Sequence, residues 1–73
     1  MSMEETHQFD WYLVAETRLA RCFSESADGS DPTWWVPRSL IRDFLKYPPK
    51  SPMQKPLCLV EIPEWFAMKE NLL

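Results

Sequence analysis

The sequence predicts an α+β fold: a small antiparallel sheet of three to four strands, with a short middle helix and a C-terminal helix. Three stretches predict it. "LCLVEI", Leu57 to Ile62, is a near-continuous apolar run, as in a strand covered on both faces. "TWWV" is aromatic and β-branched and stops at Pro37, which cannot donate to a ladder. "PEWFAMKENLL" opens with Pro63 and Glu64, both suited to a first helical turn, and carries Lys69 late. At 73 residues, with 45% hydrophobic and 14% aromatic content, the chain has material for one dense core and length for one domain.

Residues 1–8, acidic and polar, read as a flexible leader, and 9–73 as a single small domain. "FDWYLVAETRLARCF", Phe9 to Phe23, admits two readings. Phe9, Tyr12, Leu13, Glu16, Ala20 and Phe23 fall at helical spacing, which would make one helix. Alternatively Trp11 to Ala15 is a strand, Glu16-Thr17-Arg18 turns the chain, and "LARCF" returns with Leu19, Arg21 and Phe23 alternating against Ala20 and Cys22. The second reading is preferred for its aromatic and β-branched content. "SESADGSDP" holds the chain's one glycine, Gly29, behind Asp28, and reads as a loop too long for a two-residue hairpin turn. Ser39 to Tyr47 places Leu40, Ile41, Phe44 and Leu45 on one face of a short helix, with Ser39 as its cap and Arg42 and Asp43 facing water. "YPPKSPMQKP" carries four of the seven prolines and reads as an extended, irregular connector. In the terminal helix Trp65, Met68 and Leu72 form an apolar stripe with Phe66 beside it.

The net charge of -3, from 8 basic and 11 acidic residues, offers no polycationic field, so non-specific duplex binding is disfavoured. No stretch approaches the roughly 20 apolar residues of a membrane span and the first ten residues lack a signal-peptide pattern, so a cytoplasmic protein with no membrane contact is expected. Cys22 and Cys58 read as free thiols filling the core from neighbouring strands. A metal centre needs three or four ligands at compatible spacing, and His7, Cys22 and Cys58 are isolated, so neither metal nor other cofactor is expected. The same isolation leaves a cysteine nucleophile without a base, and Ser39 has no base or glycine elbow beside it. Glu61 and Glu64 fall on a strand and in a first helical turn, where each has a structural role. A glycine-rich phosphate loop cannot be built with one glycine, and a non-enzyme is expected.

Binding is the remaining class. Adjacent strand residues point to opposite faces, so Trp34 and Trp35 cannot both enter one core. With Trp35 inward beside Trp65, Trp34 points outward as a partner-binding anchor. Arg38 is then a charge-assisted donor, and Glu25, Asp28 and Asp31 form an acidic rim. A loop or the leader folding over Trp34 would instead enlarge the core. Two other uses of the surface stay open. Lys46, Lys50 and Lys55, with Arg38 and Arg42, make the middle of the chain locally basic, which suits a single-strand nucleic-acid binder with aromatic stacking. A homodimer could bury Trp34 against its own copy.

Glu16-Thr17, then Trp35-Val36-Pro37-Arg38-Ser39 with Ile41, then Val60 and Ile62-Pro63-Glu64-Trp65-Phe66-Ala67 together resemble a group of short phage and prophage proteins. Their pattern is a Glu-Thr turn, a strand, Trp-apolar-Pro-basic-Ser-x-Ile, and an apolar strand running into Pro-Glu-Trp-apolar-Ala and a helix. The likeness covers roughly half of the chain, which departs from it in its long N-terminus, its proline-rich insertion and Arg38 where lysine is commoner. The resemblance implies a phage-type accessory protein, built as a small sheet or partial barrel with a terminal helix and acting inside a bacterial host. The implied partner is a host protein or nucleoprotein complex, and the implied role inhibition of a host defence such as a CRISPR effector. It brings no activity and no cofactor.

Overall fold

The protein is described by a computed structural model covering residues 4–28 and 30–73. Five strands form one open antiparallel sheet: β1 (Thr6–Glu16), β2 (Ala20–Ser24), β3 (Thr33–Pro37), β4 (Asp43–Lys46) and β5 (Leu57–Pro63). Their spatial order is β3-β2-β1-β5-β4. A single 3₁₀ turn, Arg38–Leu40, lies between β3 and β4, and a short helix α1 (Glu64–Lys69) follows β5. Strands β1 to β3 are a meander and β4–β5 a second hairpin. The two are joined by pairing of β1 with β5, from Thr6 opposite Pro63 to Tyr12 opposite Leu57.

That register sorts the side chains. Phe9, Trp11 and Leu13 share a face with Cys58, Val60 and Ile62, with Phe23, with Trp34 and Val36, and with Phe44. This inner face is the core, closed by Phe66 and Ala67 of α1 and by Leu40, Ile41 and Leu72. Strands β2 and β4 stand three spacings apart in the sheet, about 14 Å if it were flat. Yet the Arg21 guanidinium lies 4.0 Å from the centre of the Phe44 ring, so the sheet curls tightly about its inner face. At Val14 an extra residue bulges β1 between the Leu13–Phe23 and Ala15–Cys22 pairs. The shift of phase brings Glu16 opposite Arg21, within 3.4 Å of its Nε.

The hairpin reading of Phe9 to Phe23 holds, as do the strands at "TWWV" and "LCLVEI" and the irregular connector before the latter. The loop between β2 and β3 also lacks strand or helix at its described residues, Gly29 lying outside them. The middle helix does not form. Arg42 donates its amide to Glu61 O at 2.8 Å, and Phe44 and Leu45 pair with Val60 and Leu59. The open edge of β5 supplies partners that a helix of two turns cannot match in stability. Ser39 caps nothing; the 3₁₀ turn has no side-chain cap and follows Pro37. Nor is the sheet a partial barrel, since β3 and β4 are unpaired edges.

Thr6 to Gln8, assigned to the leader, are strand, and Glu5 O accepts the Glu64 amide at 2.8 Å; Met1 to Met3 lie outside the described residues. Helix α1 buries Phe66 and Ala67, so the expected stripe is displaced and Trp65 and Met68 face outward. Cys22 and Cys58 are buried free thiols, but on strands that flank β1 from opposite sides and on opposite faces of the sheet.

Ile62 is wholly buried in the inner-face core, whereas Leu19 at the β1–β2 turn is 72% exposed. Urea unfolding of Ile62→Ala is expected to show a loss of about 2–5 kcal/mol. Leu19→Ala should stay within about 0.5 kcal/mol of the native protein.

Candidate functional site: an outer tryptophan and a proline-roofed cleft

The two adjacent tryptophans divide in the sense opposite to that expected. Trp34 lies opposite Phe23, on the face of wholly buried Val36, and its ring meets Trp11 edge-on at 4.9 Å between centroids. Trp11 in turn stacks on Phe9 at 4.4 Å. Trp34 is therefore half-buried against the core and does not point outward, so it is not the exposed anchor expected. Its indole Nε1 is buried with no hydrogen-bond partner among the described residues. Trp35 occupies the outer face opposite Cys22 and is 48% exposed. The signal for this was in the chain: Val36, apolar and β-branched, takes the inner face, and Trp34 shares its parity.

Arg38 is not free. Its Nε donates to Thr17 O at 3.0 Å and its guanidinium pairs with Glu16 at 2.9 Å, bracing the β1–β2 turn. The Arg38 amide also donates to Leu19 O, bringing exposed Leu19 beside exposed Pro37, which pairs with Ala20. Trp35, Pro37 and Ala20 share the outer face at this end of the sheet and form an apolar patch there. The acidic loop sits at the other end of β3. Glu25, Asp28 and Asp31 are exposed there, so the structure does not gather them with Arg38. Ser24 Oγ accepts the Ser26 amide, Ser26 Oγ the Asp31 amide, and Asp28 the Ser30 amide at 3.0 Å. The last bond holds the Asp28 carboxyl below its ordinary range.

A second feature was not singled out from the sequence. Tyr47, just past β4, donates its amide to Leu57 O, and Tyr12 pairs with Leu57 from the other side. Between them opens a cleft of about 500 Å³, floored by Leu57, roofed by Pro48 and Pro49, and lined also by Asp10, Lys50 and Lys55. The end of the connector is tied to the β2–β3 loop where the Lys55 amide donates to Ala27 O at 2.9 Å. Only the fold brings residue 12 to residue 47, so spacing along the chain carries no sign of it.

The remaining reactive groups have structural partners. His7 Nε2 lies 3.0 Å from Glu64 Oε1, and Thr6 and Gln8 donate to Glu61. Burial pushes the Cys58 thiol up, away from the thiolate a nucleophile needs. Among the described residues no cluster of three His, Cys, Asp or Glu side chains could hold a metal ion, and no helix is long and apolar enough to cross a membrane. No family model, curated protein or solved structure matches the chain.

Glu4 accepts two bonds from Arg42, at 2.6 and 3.0 Å, and this pairing, helped by the Trp65 indole, lowers its pKa. A depressed carboxylate stabilises the fold above its unfolded pKa, and that contribution disappears as pH falls through the folded value. Carboxyl-carbon NMR titration should find Glu4 and Asp28 ionising below ordinary Glu and Asp. In Arg42→Ala, Glu4 should move back up while Asp28 stays where it is.

Proposed function

We propose that this is a non-enzymatic accessory protein of phage type that works by docking on a larger host assembly and occluding a site there. The target class indicated by the resemblance is a host defence complex such as a CRISPR effector. One observation carries the docking reading: Trp35 stands half-exposed on the outer face of an edge strand, beside exposed Pro37. An indole of this kind concentrates binding energy when a partner seals it from water, often about 2 kcal/mol or more. Trp35 replaces Trp34 as the anchor in this reading. Arg38 serves by bracing the β1–β2 turn at the edge of the patch, and Glu25, Asp28 and Asp31 remain an acidic rim beyond Thr33, whose side chain shares the outer face with that of Trp35.

Purified CRISPR effector complexes immobilised on a biosensor test the reading directly. One of them should bind the native protein at micromolar concentration or tighter and lose target cleavage on doing so. Trp35→Ala should bind at least about 30-fold more weakly. Leu45→Ala, on the outer face at the opposite edge of the sheet, should bind as the native protein does. Absence of binding to the effector panel would remove the defence role, and equal binding by Trp35→Ala would remove the patch.

A further inference from the structure

We propose that the cleft beneath the proline-rich connector is a site for single-stranded nucleic acid, taking one base between Tyr12 and Tyr47 with its neighbouring phosphates on Lys50 and Lys55. This goes beyond the docking reading and uses different residues.

Geometry comes first. Tyr12 on β1 and Tyr47 beyond β4 flank Leu57 of β5 on the outer face, so their backbones stand about two strand spacings apart, roughly 9.6 Å. A planar ring with van der Waals contact on both faces needs about 7–8 Å between its neighbours. The cleft between them, about 500 Å³ with an apolar floor and a proline roof, is of ligand-site size. Two tyrosines lining one cleft suit a planar aromatic group, and every base of a nucleic acid offers one.

Charge gives the second argument. In a chain of net charge -3, Arg21, Arg38 and Arg42 are each paired with a carboxylate of the protein. Lys50 and Lys55 have no such partner among the described residues, although Asp10 lines the same cleft. Two ammonium groups left open at a tyrosine-lined cleft complement an anion carrying a ring. Asp10, two residues before Tyr12 on the same face, supplies an acceptor for the exocyclic amino group of cytosine or adenine.

The third argument selects a polymer over a free nucleotide. Tyr47, Pro48 and Pro49 form a wall with a second groove behind it, about 280 Å³, lined also by Lys46 and Pro56. A strand, unlike a free nucleotide, is long enough to reach from the cleft into this groove.

The test is fluorescence anisotropy with a fluorescein-labelled, eight-nucleotide oligodeoxycytidylate, titrated with the full-length protein over a range of salt concentrations. The native protein should bind the oligomer with affinity that falls with salt. Tyr47→Ala should weaken binding about tenfold, while Tyr47→Phe, which keeps the ring, should not. Lys50→Ala with Lys55→Ala should reduce the slope of log affinity against log salt by about 1.4. Trp35→Ala should leave the titration unchanged, so that failure of the docking reading and failure of this one are separate results. Absence of binding by the native protein, or equal binding by Tyr47→Ala and the double lysine variant, would overturn the site. Deoxycytidine monophosphate competing as well as the unlabelled oligomer would overturn its assignment to a strand.

Discussion

Everything in this molecule hangs on the pairing of β1 with β5, two strands that lie at opposite ends of the chain. Without it there would be a three-stranded meander and a separate hairpin, each with an open edge and one apolar face, and an isolated hairpin is marginal in water. With it, Cys58, Val60 and Ile62 are enclosed completely between neighbours on both sides. Closing so long a loop has an entropic cost that grows only slowly with length, whereas the apolar area enclosed grows with every paired residue. The same pairing seats the helix, because Glu5 at the start of β1 accepts the first amide of α1. It also sets Tyr12 and Tyr47 on either side of Leu57, so the outer cleft is a product of the inner core's register.

The aromatic core shows what shape is worth against hydrogen bonding. Trp11 is the hub, stacked on Phe9, tilted to Phe23 at 5.5 Å and met edge-on by Trp34. Burying an indole N–H without an acceptor costs about 1–3 kcal/mol. Trp34 bears that cost because an aromatic ring buries some 150–250 Å² and gains further from edge-to-face contact. Four tryptophans still exceed what this interior accepts. Trp11 and Trp34 go in, whereas Trp35 and Trp65 stay close to half-exposed.

What could be read from the chain alone follows from the range of the forces involved. Phe9 to Phe23, "TWWV" and "LCLVEI" were legible as strands because alternation and β-branching are local properties. Ser39 to Tyr47 was not, because its helical spacing is overridden by a distant strand offering hydrogen-bond partners along its free edge, as the Arg42 to Glu61 bond records. The outward tryptophan is Trp35 and not the expected Trp34, because Val36 decides the phase of β3 and its parity belongs to Trp34. Arg38 was legible as a donor and not as a committed one, since Glu16 and Thr17 reach it only through the pairing of β1, β2 and β3.

The charged residues divide by the same logic. Arginine offers a planar fork of donors that can hold two acceptors at once, and here it is spent inside: Arg38 spans Glu16 and Thr17 O, and Arg42 spans Glu4 and Ser39 O. Each of these joins segments far apart in the chain, one at the first turn and one where the N-terminal strand meets the crossing to β4. Lysine is a strongly hydrated point charge on a flexible stem and makes a poor brace. Lys46, Lys50 and Lys55 fall in or beside the connector and make no ion pair among the described residues, so their charge remains available to solvent and to ligands. An acidic protein can therefore present a basic rim without weakening its own fold, because the arginines that brace the sheet and the lysines beside the cleft are different residues.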